Sequence, residues 1–251
     1  TNIKDFHTMK NAIKFKFQYI DRLEPEIKET IEGFLGHKVH ETLQWIYEEA
    51  AISRIIQLDE IINNYVYNWN RDFNKEIKIV KEELNAEHYF NQGIKFLIDY
   101  FLKYSPFKDN TIATEKKVFI NLDEEGKYKL QGYIDRLVHH EDTNIFEIHD
   151  YKTGGFLKSQ EELDEDKQLA LYSLAIKELF KEANDIHLIW HFLAFNEKRV
   201  SKRTDEQLEK LKQEIIQLIN KIESTTEFNP NLVFYANGVN LKVIVRVNNK
   251  Q

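Results

Sequence analysis

An α/β fold is what this sequence predicts: a mixed β-sheet flanked by helices, with a helical region ahead of it. Three observations carry that expectation. Helical periodicity fills residues 1–106, strand-like and helical runs alternate over 111–224, and the change falls at Pro106. Pro106 is one of three prolines, with Pro25 and Pro230, each placed where one kind of segment gives way to another. The 251 residues are read as one domain, with a helical portion (1–106), an α/β core (111–224) and an atypical tail (225–251).

Each element follows from its pattern. In 27–51 and 79–104 apolar residues recur at three- and four-residue spacing, as in Phe34, Val39, Leu43, Ile46 and Tyr47. Runs 117–122 and 128–138 read as strands joined by the turn Asp123-Glu124-Glu125-Gly126, where glycine supplies the unusual backbone angles. A third strand covers 144–151, a helix 162–182, and a fourth strand, rich in β-branched and aromatic residues, 186–195. Thr204-x-x-Gln207 is a capping box opening a long amphipathic helix with Leu208, Leu211, Ile215, Leu218 and Ile222 on one stripe.

Composition narrows the class. With 42% hydrophobic and 13% aromatic residues the chain is globular rather than disordered. There are no cysteines, which excludes disulfides, thiolate zinc sites and cysteine-ligated iron–sulfur clusters in this chain. No apolar run reaches the length of a membrane span and the first residues carry no signal-peptide pattern, so a cytoplasmic location without membrane contact is expected. The net charge of −7 opposes non-specific binding to a polyanion. Local basic groups still occur: Lys198, Arg199, Lys202 and Arg203 in one cluster, and Lys116, Lys117, Lys127 and Lys129 around the hairpin. Either group alone is an ordinary solvated face.

The residues that carry chemistry are spread over half the chain. They are Gly36-His37-Lys38-Val39-His40, Gly132-Tyr133-Ile134-Asp135-Arg136, Asp150-Tyr151-Lys152-Thr153-Gly154, and Gln168 with Tyr172. Side chains alternate along a strand, so Phe146, Ile148, Asp150 and Lys152 share a side, and the two apolar residues draw the charged pair toward the interior. Asp135 on a neighbouring strand supplies a second carboxylate. Two carboxylates held together repel unless a cation lies between them, and hard oxygen ligands suit Mg²⁺ or Mn²⁺. Lys152 is placed to hold an attacking water or to stabilise charge developing on phosphorus. His40, on a helix, offers a further ligand nitrogen, whereas His37 is read as a structural histidine. Gln168 and Tyr172, one turn apart, are placed to contact substrate.

Taken singly these elements say little. Asp-x-Lys is usually a surface ion pair, Gly-x-x-Asp-Arg a turn with a salt bridge, and a helical histidine a structural residue. All four in order resemble the RecB-type branch of the PD-(D/E)XK nuclease superfamily, from the first helices to beyond Tyr172. The resemblance implies a restriction-endonuclease-like core and metal-dependent cleavage of DNA, as an exonuclease or endonuclease in repair, recombination or CRISPR adaptation. It implies that His40, Asp135, Asp150 and the Tyr151 carbonyl bind metal and that Lys152 is catalytic. Glu115 resembles an acidic residue often present ahead of the first strand in that family. DNA is the implied partner, with a helicase or another repair or CRISPR subunit beside it. The chain has no Gly-x-x-x-x-Gly-Lys-Ser/Thr, so any ATP-driven unwinding belongs to such a partner. Two alternatives fit the same residues: a catalytically weak nucleic-acid-binding or helicase-partner module, and a hydrolase of RNA or another phosphodiester.

One departure stands out. Many relatives carry four cysteines for a [4Fe–4S] cluster, one near the start and three at the end, and both places lack cysteine here. Back-translating 232–245 with permitted codons and shifting the frame by two bases gives Ser-Ile-Leu-Cys-Lys-Trp-Cys-Glu-Phe-Lys-Ser-Tyr-Cys. The same shift over residues 7–12 gives Tyr-Tyr-Glu-Lys-Cys. Agreement at both ends favours frameshifts over coincidence, and sequencing the source DNA decides it.

Overall fold

The computed structural model describes residues 29–81, 83–123, 128–224 and 242–245. Three helices come first. Helix α1 (Ile31–Ala51) starts where the Thr30 hydroxyl accepts the Gly33 N–H at 3.3 Å, and it buries Ile31, Phe34, Leu35, Val39, Leu43, Ile46 and Tyr47 on one stripe. Helix α2 (Leu58–Asp72) opens with the Glu60 carboxylate accepting the Gln57 N–H at 2.9 Å. Helix α3 (Ala86–Tyr104) begins later than the periodicity from 79 suggests. Lys78 is tied into an extended bridge with Thr30, and the Asn85 side chain caps the helix by accepting the His88 N–H at 2.9 Å.

The three helices pack tightly because Gly93 lets them. A Cβ there would lie 2.1 Å from the Tyr65 hydroxyl oxygen and 2.9 Å from a Leu35 methyl, so only glycine admits both neighbours. Around it Phe34, Trp69, Phe73 and Phe90 form a run of edge-on and stacked rings.

The sheet follows: β1 (Thr111–Asn121), β2 (Tyr128–His140), β3 (Ile145–Lys152), β4 (Asp185–Phe192), β5 (Glu197–Ser201) and β6 (Lys242–Val245). Their order is β1-β2-β3-β4-β5, with β6 beside the far part of β2. Among the described strands only β3 and β4 pair in parallel, and the chain crosses between them through α4 (Gln160–Asp164) and α5 (Gln168–Leu179). The mixed sheet and leading helices expected from sequence are both present. A last helix, α6 (Asp205–Ser224), starts at Thr204 with the reciprocal bonds of a capping box: Gln207 N–H to Thr204 Oγ1 at 3.2 Å, and Thr204 N–H to Gln207 Oε1 at 2.8 Å.

Strand β1 starts at Thr111 rather than 117, so Glu115 lies within it and not ahead of it, and three further features differ from expectation for local reasons. The helix expected over 162–182 is two helices. Ser159 and Glu162 cap the first, and the Asp166 carboxylate restarts the second by accepting the N–H groups of Gln168 and Leu169 at 3.0 and 3.4 Å. The strand expected over 186–195 ends at Phe192, because Leu193–Phe195 form a 3-10 turn closed by Asn196 in the left-handed region (φ 51°). Beyond it lies β5, an unexpected edge strand built from the basic cluster. There Arg203 donates to the carbonyls of Leu163, Asp166 and Lys202, and Lys202 pairs with Asp185, so these two cations hold loops together.

Two hydrophobic clusters lie on the two sides of the sheet. Phe146, Ile148, Leu188 and Trp190 pack with α5 and with Leu208, Leu211, Ile215 and Ile219 of α6. Tyr151 and Leu193 pack instead with α1, α2 and α3. No described helix is long and apolar enough to cross a membrane. The turn residues 124–127 (Lys127 among them), the side chains of Leu218 and Ile222, and residues 7–12 and 232–241 of the segments to which the frameshift expectation applies lie outside the described residues; 242–245 of the second segment form β6.

Candidate metal-dependent active site

Helix α1 lies across the ends of β1, β2 and β3, with Gly36 against the loop after β3. A Cβ on Gly36 would meet Thr153 Oγ1 at 3.0 Å, so the threonine side chain would have to give way slightly to admit one. One turn further on, the His40 ring sits over the strands. Its Nε2 donates to the Tyr151 carbonyl at 2.8 Å while Nδ1 lies 3.5 Å from Asp135 Oδ2. Asp135 Oδ2 also accepts the Tyr151 N–H at 2.8 Å. His40, Asp135 and both backbone polar atoms of Tyr151 are thus joined around one point.

Glu115 completes the cluster. Ligand atoms of His40, Glu115 and Asp135 all lie within 4.8 Å of one another, the only such group of three or more among the described residues. Glu115 reaches inward because its backbone is left-handed, with φ 44°, between Thr114 (opposite Arg136) and Lys116 (opposite Ile134). A glutamate held there is strained, by roughly 1–3 kcal/mol. Sequence reasoning singled out Glu115 only through the family resemblance. Nothing in the residue types around it announces a left-handed glutamate.

The second carboxylate stands beside this cluster with its lysine. Asp150 is 6% exposed and accepts from Lys152 Nζ at 3.0 Å through Oδ1. Asp150 Oδ2 lies 2.8 Å from the same ammonium but without hydrogen-bond alignment, and so is a buried acceptor lacking a hydrogen-bond donor. We take the contact as an ion pair that leaves one oxygen lone pair open. The donor set of three carboxylates, one imidazole and a backbone carbonyl, together with that open oxygen, fits a hard divalent cation.

Electrostatics agree with this fit. Burial raises the Asp135 carboxyl above the usual range; His40 and the Tyr151 N–H pull it down, and the Asp150 charge pushes it up. Burial and then Asp135 raise Glu115, against His40 and His37. Burial works to lower Lys152, but Asp150, by charge and by hydrogen bond, and then Asp135 raise it on balance, so without metal the lysine keeps its proton. A pH dependence follows. A carboxyl raised in the folded state favours folding below its unfolded value, and that contribution disappears as pH rises through the raised value. Metal needs the ionised form, so its stabilisation should grow over the same interval, from about pH 4 upward. The expected result is a Mn²⁺-induced rise in Tm that is small at pH 5 and larger at pH 8, where about 2.7 kcal/mol is gained at a hundred times Kd. Thermal unfolding across that pH range checks it, and an equal rise at both values would contradict it.

The remaining sequence candidates are placed less openly. Gln168 and Tyr172 are 5% and 1% exposed, and Gln168 Nε2 donates to the Tyr172 hydroxyl at 3.4 Å. That hydroxyl also accepts the Tyr133 N–H, and burial, set against the Gln168 bond, pushes it up to about 12. The pair ties α5 to β2, next to Asp135. His37 is not a buried structural histidine: it is exposed on α1, where its charge eases ionisation of Glu115.

Behind the site, on the α1–α3 side of the sheet, Arg136 is buried at 2% exposure. It donates through Nε to the Tyr151 hydroxyl at 2.9 Å and through Nη2 to His149 Nδ1 at 2.7 Å, and it pairs with Asp109 through Nη1. The salt bridge expected of the Gly-x-x-Asp-Arg element is therefore real, but it is interior. Tyr100 reaches both Tyr47 (2.6 Å) and the Tyr151 hydroxyl (3.2 Å). Tyr151 is held by its side chain on one side of the sheet, while its N–H and carbonyl face Asp135 and His40.

Comparison with known proteins agrees with this geometry. No curated protein matches the chain closely enough to count as a relative. A model of the PD-(D/E)XK nuclease superfamily matches residues 7–232, which span the three leading helices, strands β1 to β5 and every residue of the carboxylate cluster, and on that match the chain belongs to the PD-(D/E)XK nuclease superfamily.

Proposed function

We propose that this protein is a DNA nuclease of the RecB-type branch, working as an exonuclease with Mg²⁺ or Mn²⁺, and that residues 1–251 form one nuclease domain. The observation that carries the reading is the meeting of His40, Glu115 and Asp135 beside the Asp150–Lys152 pair. Asp135, Asp150, Glu115, His40 and the Tyr151 carbonyl would hold the ion. When bound it supplies charge neutralisation for a phosphodiester and an acidified water.

The chain's own groups do the rest. His40 Nε2 carries the proton it donates to the Tyr151 carbonyl, so the ring would offer its bare Nδ1, which faces Asp135, and the carbonyl would offer its second lone pair. Asp135 keeps the Tyr151 N–H and so fixes where that carbonyl points. The Lys152 ammonium, turned from Asp150, donates to the attacking water or to a phosphoryl oxygen as negative charge builds there. Gln168 and Tyr172, 5% and 1% exposed, hold β2 against α5 beside Asp135, so in this reading they support the site from behind and do not meet substrate directly. DNA is the partner in this reading, and a helicase or other repair or CRISPR subunit would deliver it.

End-labelled single- and double-stranded DNA incubated with Mn²⁺, Mg²⁺ or EDTA tests this. Products that need metal, shorten progressively from an end and are lost in Asp135→Asn are expected. Metal-independent products, or none with either ion, would refute the nuclease reading.

A further inference from the structure

The β1–β2 hairpin has an exposed face that the carboxylate site does not use. Lys117 lies opposite Tyr133, Phe119 opposite Gln131, and Asn121 opposite Lys129. Lys117, Phe119, Lys129, Gln131 and Tyr133 therefore share one face by strand alternation, while Val118, Ile120, Leu130 and Ile134 point into the core. Phe119 is 46% and Tyr133 42% exposed. The ammonium groups of Lys117 and Lys129 lie 5.2 and 5.7 Å from the centroid of the Phe119 ring. Among the described residues neither lysine has a carboxylate partner, nor does Lys116. On a chain of net charge −7 this is a local concentration of cations around bare aromatic rings.

Position gives that face a use. Tyr133 precedes Asp135 by two residues on β2, about 7 Å along the strand. Phe119 and Tyr133 are diagonal neighbours, about 7–8 Å apart between backbones. That spacing brackets about two nucleotides stacked at roughly 3.4 Å each. Exposed rings interleaved with lysines that have no carboxylate partner among the described residues are what an unpaired strand needs, bases on the rings and phosphates on the ammonium groups, whereas a duplex keeps its base faces covered.

We propose that Phe119 and Tyr133, flanked by Lys117 and Lys129, form a stacking platform that binds single-stranded DNA and leads it to Asp135. This rests on the nuclease reading for the identity of the polymer. Binding is separable from cleavage, however, because the platform shares no residue with the carboxylate cluster.

The test uses the full chain in EDTA, with fluorescence anisotropy of labelled oligodeoxythymidine and of a blunt duplex. Phe119→Ala and Tyr133→Ala should each weaken oligodeoxythymidine binding about 10-fold, and the double variant more, since stacking on one ring is worth about this much. Because both side chains are exposed, Tm and its rise with Mn²⁺ should not change. Unchanged single-strand affinity in the double variant would overturn the platform. So would failure of the unaltered protein to bind oligodeoxythymidine, or equal losses on the duplex. If single-strand binding is lost as expected but no metal-dependent cleavage is found, the platform stands and the nuclease reading fails.

Discussion

Replacing Lys152 with alanine is expected to slow DNA cleavage about 100- to 10,000-fold, the range over which a positioned proton donor or charge stabiliser acts. Lys152 Nζ lies within 3.0 Å of both oxygens of Asp150, and no other cation pairs with that carboxylate among the described residues. The loss should fall on kcat, because the ammonium acts most strongly once negative charge has built on phosphorus. Lys152→Arg keeps the charge and should retain more activity than alanine, although its planar fork cannot take the same place. Truncation also leaves Asp150 buried without its partner, so the metal-free variant should lose some Tm and recover it with Mn²⁺, which replaces the missing positive charge. Single-turnover cleavage at saturating DNA, run beside metal titrations followed by Tm, checks both parts. Normal turnover in the alanine variant would remove Lys152 from the chemistry.

How much of this was legible in the sequence depends on whether a residue's role is local. Asp150 and Lys152 could be read from an alternating strand whose apolar members Phe146 and Ile148 set the face, and His40 and Asp135 from the order of four short motifs, each complete within five residues. Thr204 and Gln207 were legible for the same reason, since a capping box is complete within four residues. Glu115 was not. Its inward reach comes from a left-handed backbone that glutamate rarely adopts and that only the surrounding strands and α1 enforce. The edge strand β5 was hidden by its composition: Glu197, Lys198 and Arg199 look like a solvated turn, and an edge strand tolerates them because one side faces water. The break between α4 and α5 is marked by a single residue, Asp166, whose carboxylate competes for the N–H groups that a continuous helix would use. In each case the missed feature depends on where a backbone group finds its partner.

Arg136 is the position where the fold and the site depend on one side chain, and Arg136→Ala should cost about 3–5 kcal/mol, the loss expected on breaking a buried ion pair. For a chain of this size that corresponds to a fall in Tm of roughly 6–20 °C. The guanidinium is 2% exposed and lies 4.0 Å from the centroid of the Tyr47 ring. It donates to Tyr151, His149 and Thr111 and pairs with Asp109. It is also the charge of its pocket: burial, then Arg136, hold His149 well below the ordinary histidine range, and burial does the same to His191, which bonds to it at 2.9 Å. Both imidazoles are therefore neutral, and neither can replace the missing cation. Truncation leaves the Tyr151 hydroxyl without its Nε donor and removes the wedge that keeps Tyr151 against Tyr100. The Tyr151 carbonyl, which accepts from His40 and would also face the ion, should then wander, so metal affinity should fall together with Tm. Arg136→Lys separates the two effects. One ammonium can meet Asp109 but cannot also reach Tyr151 and His149, so this variant should recover much of the stability and little of the metal affinity. Thermal unfolding with and without Mn²⁺ for both variants reads the outcome. A lysine variant with ordinary Mn²⁺ affinity would confine Arg136 to holding the fold.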